Sequence, residues 1–308
     1  MKIALPKLEL RGWKRIAAYA LFFAVAFLLA LHFTFPTEAV KERLILEAAA
    51  QGWQLRMNDL QPSGLTGIRA TEVTLQTRDG TRIPVEEVWA SLRPFALLGG
   101  RRAMAFDARL FDGRVSGVSE QGKTVQRLQL KASGIELSKA GALRKATGLD
   151  LTGTLAADVD VTVDSSDLAK NTGKVELSVK NAAIQGGEIP VPGMGGGLTV
   201  PRIVLGTLTA RGAVHGARAE FERLEARGDD VEISADQFFA QLQPRFEFSP
   251  LTGRARLRLS DGFWQRSGTT SLRPVVEMAL ASGKNRDGTF GFQIYGTLGK
   301  PQLRPMAQ

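Results

Sequence analysis

Cysteine is absent from the 308 residues, and histidine and tyrosine occur twice each. Without cysteine there can be no disulfide framework, no thiolate nucleophile and no cysteine-ligated zinc or iron–sulfur centre. His32 and His215 stand far apart in the chain, which excludes a multi-histidine metal site. A serine triad needs a histidine, but His215 lies in Val214-His215-Gly216 between two strand-like runs and reads as an exposed turn residue. Asp158, Asp160 and Asp164 alternate along one run, and Asp229 and Asp230 share a turn. Paired carboxylates can serve glycoside hydrolysis, but alternating acids are the pattern of a solvated strand face, and there is no Asp-x-Asp-x-Asp-Gly calcium loop. The glycine-rich residues 186–201 contain Pro190, Pro192 and Pro201 and lack a following Gly-Lys-Ser/Thr. They read as a loop or flap, not as a phosphate cradle. Trp53, Trp89 and Trp264 read as packing residues. No catalytic residue, metal or cofactor is expected, and the chain is read as a non-enzyme.

What is present begins with charge: 40 Lys and Arg against 31 Asp and Glu, a net +9. Lys2, Lys7, Arg11, Lys14 and Arg15 against Glu9 concentrate four of these positive charges in residues 1–15. The remainder is dilute, with no basic cluster interleaved with aromatics, so no nucleic-acid partner is expected. Residues 16–35 are apolar apart from Tyr19, His32 and Thr34. A helix of about 20 such residues crosses a hydrocarbon layer of about 30 Å. The basic flank places the N-terminus in the cytoplasm and the bulk of the chain outside the inner membrane. A cleaved signal peptide is the alternative. The run is longer than the usual h-region, and bulky Leu31, His32 and Phe33 stand where a small-residue cleavage site would follow. His32 then lies at the interface.

Residues 36–52 predict a linking helix: Pro36 suits a first turn, Val40, Leu44, Ile45 and Ala48 form a stripe, and Gly52 ends it. Beyond this point the apolar period becomes two. Val88, Ala90 and Leu92 alternate with Trp89 and Ser91, and Met104, Phe106, Ala108 and Leu110 alternate with Ala105, Asp107 and Arg109. Leu155, Ala157, Val159, Val161 and Val163 alternate with acidic and small residues, and Val175, Leu177 and Val179 with Glu176 and Ser178. Ala255, Leu257 and Leu259 face Arg254, Arg256 and Arg258, and Phe290, Phe292 and Ile294 follow near the end. One apolar and one polar face per run is the signature of antiparallel strands covered on one side. Asp79-Gly80, Asp112-Gly113, Asn171-Thr172-Gly173, His215-Gly216, Gly228-Asp229, Asp261-Gly262 and Asp287-Gly288 punctuate the runs as turns that tolerate positive φ. Residues 138–148 lack alternation, open on Ser138, close on Gly148 and predict a short helix. It divides a first β region, 53–137, from a second, 149–308.

A sheet apolar on one face must close, pair with a second sheet or hold apolar ligand. The expected fold is mainly β: a single N-terminal transmembrane helix, then an elongated, curved antiparallel sheet forming an open half-barrel or folded-over sheet, with one or two short helices. A closed sandwich is the alternative. The expected lining of an apolar groove is Val88, Ala90, Leu92, Met104, Phe106, Ala108, Leu110, Leu155, Ala157, Val159, Val161, Val175, Leu177, Leu257 and Phe292. The helix at 138–148 and the flap at 186–201 are expected to plug its mouth.

Several segments carry a family likeness. Val40-Lys41-Glu42-Arg43-Leu44 leads through Gly52-Trp53 to Pro62-Ser63-Gly64-Leu65-Thr66-Gly67-Ile68. Gly148-Leu149-Asp150-Leu151-Thr152-Gly153-Thr154-Leu155 precedes a long alternating run. Gly253-Arg254-Ala255-Arg256-Leu257 and Tyr295-Gly296-Thr297-Leu298-Gly299-Lys300-Pro301-Gln302-Leu303 stand near the end. This order resembles the type II secretion system protein N family, itself similar to the AsmA-like proteins of Gram-negative envelopes. The resemblance implies a single-pass inner-membrane protein with a periplasmic β domain, whose partners are other secretion-system subunits. The AsmA-like side of it implies lipid held on a concave apolar sheet. No catalytic residue is carried over from either.

Overall fold

The computed structural model describes residues 36–50, 52–64, 66–77, 80–190, 197–243 and 248–307, together with positions 19, 22, 23 and 245. The expected span at 16–35 lies outside the described residues apart from three positions; no described helix is long and apolar enough to cross a membrane.

Helix α1 (Thr37–Ala50) leads into β1 (Gln54–Arg56) and β2 (Asp59–Ser63). There follow β3 (Gly67–Gln76), β4 (Arg82–Leu92), the short α2 (Pro94–Leu98), β5 (Arg102–Leu110), β6 (Gly113–Gln121) and β7 (Val125–Glu136). A 3-10 turn and α3 (Gly141–Thr147) connect to β8 (Leu149–Asp164) and β9 (Thr172–Pro190). Then come β10 (Gly197–Val200), β11 (Ile203–His215), β12 (Arg218–Arg227), β13 (Val231–Gln241) and β14 (Leu251–Leu259). Three short helices, α4 (Asp261–Trp264), α5 (Ser267–Thr270) and α6 (Arg273–Ala279), precede β15 (Phe290–Thr297) and β16 (Lys300–Pro305).

All 16 strands belong to one open antiparallel sheet, mainly β as expected. From β3 to β16 each strand pairs with its neighbour in sequence, except that β10 only prolongs the β11 side of β9. β1 and β2 share the outer side of β3. The sheet runs without a break through the expected divide at 138–148, because β7 pairs with β8.

The meander places the β4–β5, β6–β7, β8–β9, β11–β12, β13–β14 and β15–β16 turns at one end of the sheet, and the β5–β6 turn and α3 at the other. Gly134, Gly153, Asn181 and Gly206, on β7, β8, β9 and β11, adopt positive φ beside register shifts in adjoining pairs. Bulges of this kind bend a strand and increase its twist.

Local sequence readings need four corrections. The β5–β6 turn is centred on Phe111 and Asp112, both at positive φ, so Asp112-Gly113 is displaced by one residue from the expected turn. Gly113 is required for another reason: a Cβ there would come within 2.6 Å of Gly134 and Ile135. The helix expected at 138–148 is split at Ala140, and Ser138 lies in the 3-10 turn without capping α3. Gly148, at φ 72°, does terminate it. The expected loop at 186–201 is largely strand, since β9 reaches Pro190 and pairs with β10; residues 191–196 lie outside the described set. Short helices are also more numerous than expected. The β14–β15 connection carries three, started by Ser260, whose hydroxyl accepts the Phe263 N–H.

Asp230, read from sequence as a turn residue, is 1 % exposed. Its carboxylate accepts the Val204 N–H at 2.7 Å and pairs with Arg266, and its carbonyl accepts the Ser260 N–H. One side chain thus ties β11, the β12–β13 turn and the helical β14–β15 connection together.

The core is concentrated towards the two sides of the sheet. Met57, Leu60, Ala70, Val73 and Val85 form one buried cluster, against which Val40 and Leu44 of α1 pack. Ala240, Leu251 and Ile294 form another, flanked by Ala219, Phe238 and Ala255.

At the last edge, the Met306 N–H bonds to the Gly291 carbonyl, so Gln302 and Arg304 also direct their backbone groups at β15. Pro301, Leu303 and Pro305 therefore face outward, and among the described residues nothing pairs there. Two of these three outward positions lack an N–H, a device that blunts an edge against strand addition. Pro301→Thr combined with Pro305→Thr is expected to raise self-association of the full chain in detergent, measured by sedimentation velocity. An unchanged distribution would count against an edge-protecting role.

Candidate functional site

Pairing converts the alternating runs into continuous rows. Ala70, Val88, Ala108, Val115, Ala132 and Ala157 stand opposite one another in turn from β3 to β8. Leu177, Ala210, Leu224, Ala235, Ala255 and Phe292 continue the same row to β15. A second row runs through Ile68, Ala90, Phe106, Gly117, Leu130, Val159, Val175, Gly212, Phe221 and Phe238. On one side of these, Leu92 opposes Met104, and Leu128 opposes Val161. On the other, Leu155 opposes Val179 and Leu257 opposes Phe290. Leu110 shares the parity of Met104, Phe106 and Ala108. All fifteen residues expected to line a groove are thus brought onto one face of one sheet.

Among the described residues no layer covers the middle of that face. Phe106, Val115, Leu130, Val159, Val161 and Val175 are all half-buried, whereas the buried clusters lie to either side. Leu92, Met104, Leu128 and Leu177 are exposed at 56, 42, 40 and 36 %. A contiguous apolar surface of this kind marks a binding surface. Gly117 sharpens its relief: a Cβ there would come within 2.7 Å of the Phe106 ring, which lies across it.

No family model, curated protein or solved structure matches the chain.

The opposite face is a lattice of charge. Glu87 touches both Arg69 and Arg109, and Asp107 bonds Arg114 at 2.7 Å. Lys131 meets Asp158 at 3.3 Å, and Arg211 meets Glu176 at 3.3 Å. These are cross-strand pairs on an exposed surface, where each contributes about 0–1 kcal/mol. An open depression of about 880 Å³ lies among them, with Trp89 half-buried in its wall.

The carboxylates weighed from sequence are engaged structurally. Asp160 accepts two bonds from Arg127, at 3.1 and 2.9 Å, and one from Gln129 at 2.9 Å. The Arg127 and then the Gln129 hydrogen bonds hold its carboxyl below the usual range, partly opposed by desolvation. Asp164 is lowered by the Ser166 hydroxyl and then the Ser166 N–H, and Asp287 by the corresponding groups of Thr289. Among the described residues no group of three or more metal-ligating side chains converges. His215 ends β11 and is exposed; Trp264 is buried and Trp53 is 37 % exposed.

A lowered folded-state pKa stabilises the fold at pH above the unfolded carboxyl value and loses that contribution as pH falls through the folded value. The unfolded value is about 3.9. The thermal midpoint should therefore be flat from about pH 7 to 5 as far as these groups are concerned, and fall below about pH 4. Asp160→Asn should lower the neutral-pH midpoint and shallow the acid limb. Unfolding followed by circular dichroism across pH checks this, and an unchanged acid limb would contradict it.

Sequence reasoning missed Val115, Leu224 and Phe238 on the apolar face. Val115 is framed by Arg114 and Ser116, a polar setting that hides its alternation with Gly117. Leu224 and Phe238 lie beyond irregularities: the β11–β12 register shifts opposite Glu222, and Gln237 takes φ 52°.

Proposed function

We propose that this chain is a non-enzymatic, inner-membrane-anchored envelope protein that holds lipid acyl chains along the apolar face of its sheet. One observation carries the reading: two cross-strand apolar rows running from β3 to β13, one of them on to β15, with nothing among the described residues covering them across β5–β9. A single-pass anchor at residues 16–35 would place the sheet in the periplasm, and acyl chains would stand in for the missing second layer over its apolar face. The AsmA-like resemblance points the same way.

A photo-crosslinking amino acid at Leu177, on the apolar face, should capture phospholipid in cells, whereas the same group at Glu176 should not. Mass spectrometry of the adducts reads the result. Equal capture at both positions, or none at Leu177, would overturn the reading.

The second reading, a subunit of the type II secretion apparatus, is favoured by the outer side of β1 and β2, which no strand among the described residues pairs, a natural site for strand addition. Deleting the gene should then impair release of exported proteins. Normal release would remove this reading and leave the first intact.

A further inference from the structure

The β4–β5 tip concentrates two features that a bilayer surface recognises. Phe95, in α2, is 84 % exposed, and Leu92 and Met104, where β4 and β5 enter the tip, are a directly opposed pair at 56 and 42 %. Around them Arg93, Arg101 and Arg102 are exposed, and Lys123 of the neighbouring β6–β7 turn is exposed at the same end of the sheet. One acidic partner is present: Glu120 meets Arg101 at 3.5 Å. The loop is held by its own backbone. The Arg93 N–H bonds to the Ala103 carbonyl, and the Arg101 and Gly99 N–H groups to that of Ala96, and Ala103 itself is 3 % exposed. Phe95 is therefore presented outward by an ordered turn, at the cost of leaving a phenyl ring in water.

We propose that this tip docks on an anionic phospholipid surface, with Phe95 entering the headgroup–acyl boundary and Arg93, Arg101, Arg102 and Lys123 meeting phosphate-rich headgroups. An apolar ring fringed by cations is the composition of an interfacial anchor. The cations exclude a purely apolar protein partner as the best-matched occupant, and the ring excludes a merely electrostatic contact. The proposal deepens the lipid-holding reading, on which it partly rests: Leu92, Met104 and Leu128 form the end of the apolar face nearest the tip, so a bilayer met there is continuous with the strip.

The chain's lack of cysteine makes the test direct. Ala96→Cys and, at the opposite end of the sheet, Arg286→Cys are labelled with an environment-sensitive fluorophore in the full chain. The labelled chains are reconstituted into vesicles of phosphatidylcholine alone or mixed with phosphatidylglycerol. With the anionic lipid, the label at 96 should brighten and be quenched by nitroxide-bearing lipid, and the label at 286 should do neither. Adding Phe95→Ser, or Arg93→Gln, Arg101→Gln and Arg102→Gln together, should abolish the quenching, each charge removed weakening contact about fivefold. A label at 96 that stays wet in both lipids overturns the proposal, as does quenching that ignores lipid charge. Brightening without nitroxide quenching assigns the tip to a protein contact and equally overturns it. Photo-capture at Leu177 is read in parallel: if it persists while 96 stays wet, the docking proposal fails alone, and if it is lost while 96 is quenched, the lipid-holding reading fails alone.

Discussion

Asp230→Ala is expected to lower the stability of the folded chain by roughly 2–4 kcal/mol, more than other single polar truncations among the described residues. The carboxylate is 1 % exposed, and removing it leaves the Val204 N–H and the Arg266 guanidinium without their acceptor. Arg266 keeps some access to water, which holds the cost below that of stranding a fully buried charge. The damage should be local as well as global. Arg266 and the Ser260–Asp230 backbone bond tie the start of the helical β14–β15 connection, residues 260–266, to the β12–β13 turn. Limited proteolysis should therefore open this helical connection before the sheet itself, and urea unfolding of the full chain should give the magnitude. Asp230→Asn keeps an acceptor for Val204 and loses the charge, so an intermediate loss is expected. Equal stability of wild type and Asp230→Ala would show that the tie contributes nothing.

Placing two carboxylates on the uncovered strip is expected to reduce lipid capture by at least about tenfold, because an ionised group cannot share a dry surface with acyl chains. Leu128 and Leu177 are the sites to use, since 40 and 36 % exposure lets an aspartate reach water and spares the fold. In Leu128→Asp/Leu177→Asp the thermal midpoint should move by the equivalent of less than about 1 kcal/mol, as exposed substitutions do. A photo-crosslinker at Val159, opposite Val175 and Leu130 in the neighbouring row, reads the occupancy. Undiminished capture with intact folding would mean that lipid, where found, is held elsewhere. A reciprocal pair on the charged face, Glu176→Gln with Arg211→Gln, should leave capture unchanged.

How far the molecule was legible from its residues follows from period and parity. A strand with one dry face has an apolar residue at every second position, so Met104 to Leu110 and Leu155 to Val161 declared both their conformation and their common side. That side stayed legible across strands because antiparallel register joins like parities. Legibility failed where an extra residue resets the count, as opposite Glu222 on β12 and at Gln237 on β13. It failed again where a residue's task is set by chain elements distant in sequence. Asp230 lies 26 and 36 residues from its Val204 and Arg266 partners, and a turn aspartate bound for solvent looks the same in one dimension. Phe95 was hidden for the opposite reason: Pro-Phe-Ala-Leu-Leu reads like any short buried helix, and only the fold turns the ring outward.

The meander has a consequence for biogenesis. Because each strand from β3 onward, β10 apart, pairs with the strand before it, loop closure stays local along most of the sheet, and the largest closing entropy falls on the helical β14–β15 connection, residues 260–289. A polypeptide threaded across a membrane from its N-terminus could zip up hairpin by hairpin as it emerges, each new strand finding a template already in place. Pro301 and Pro305, on the outward side of β16, withhold two donors from any strand that would extend this template.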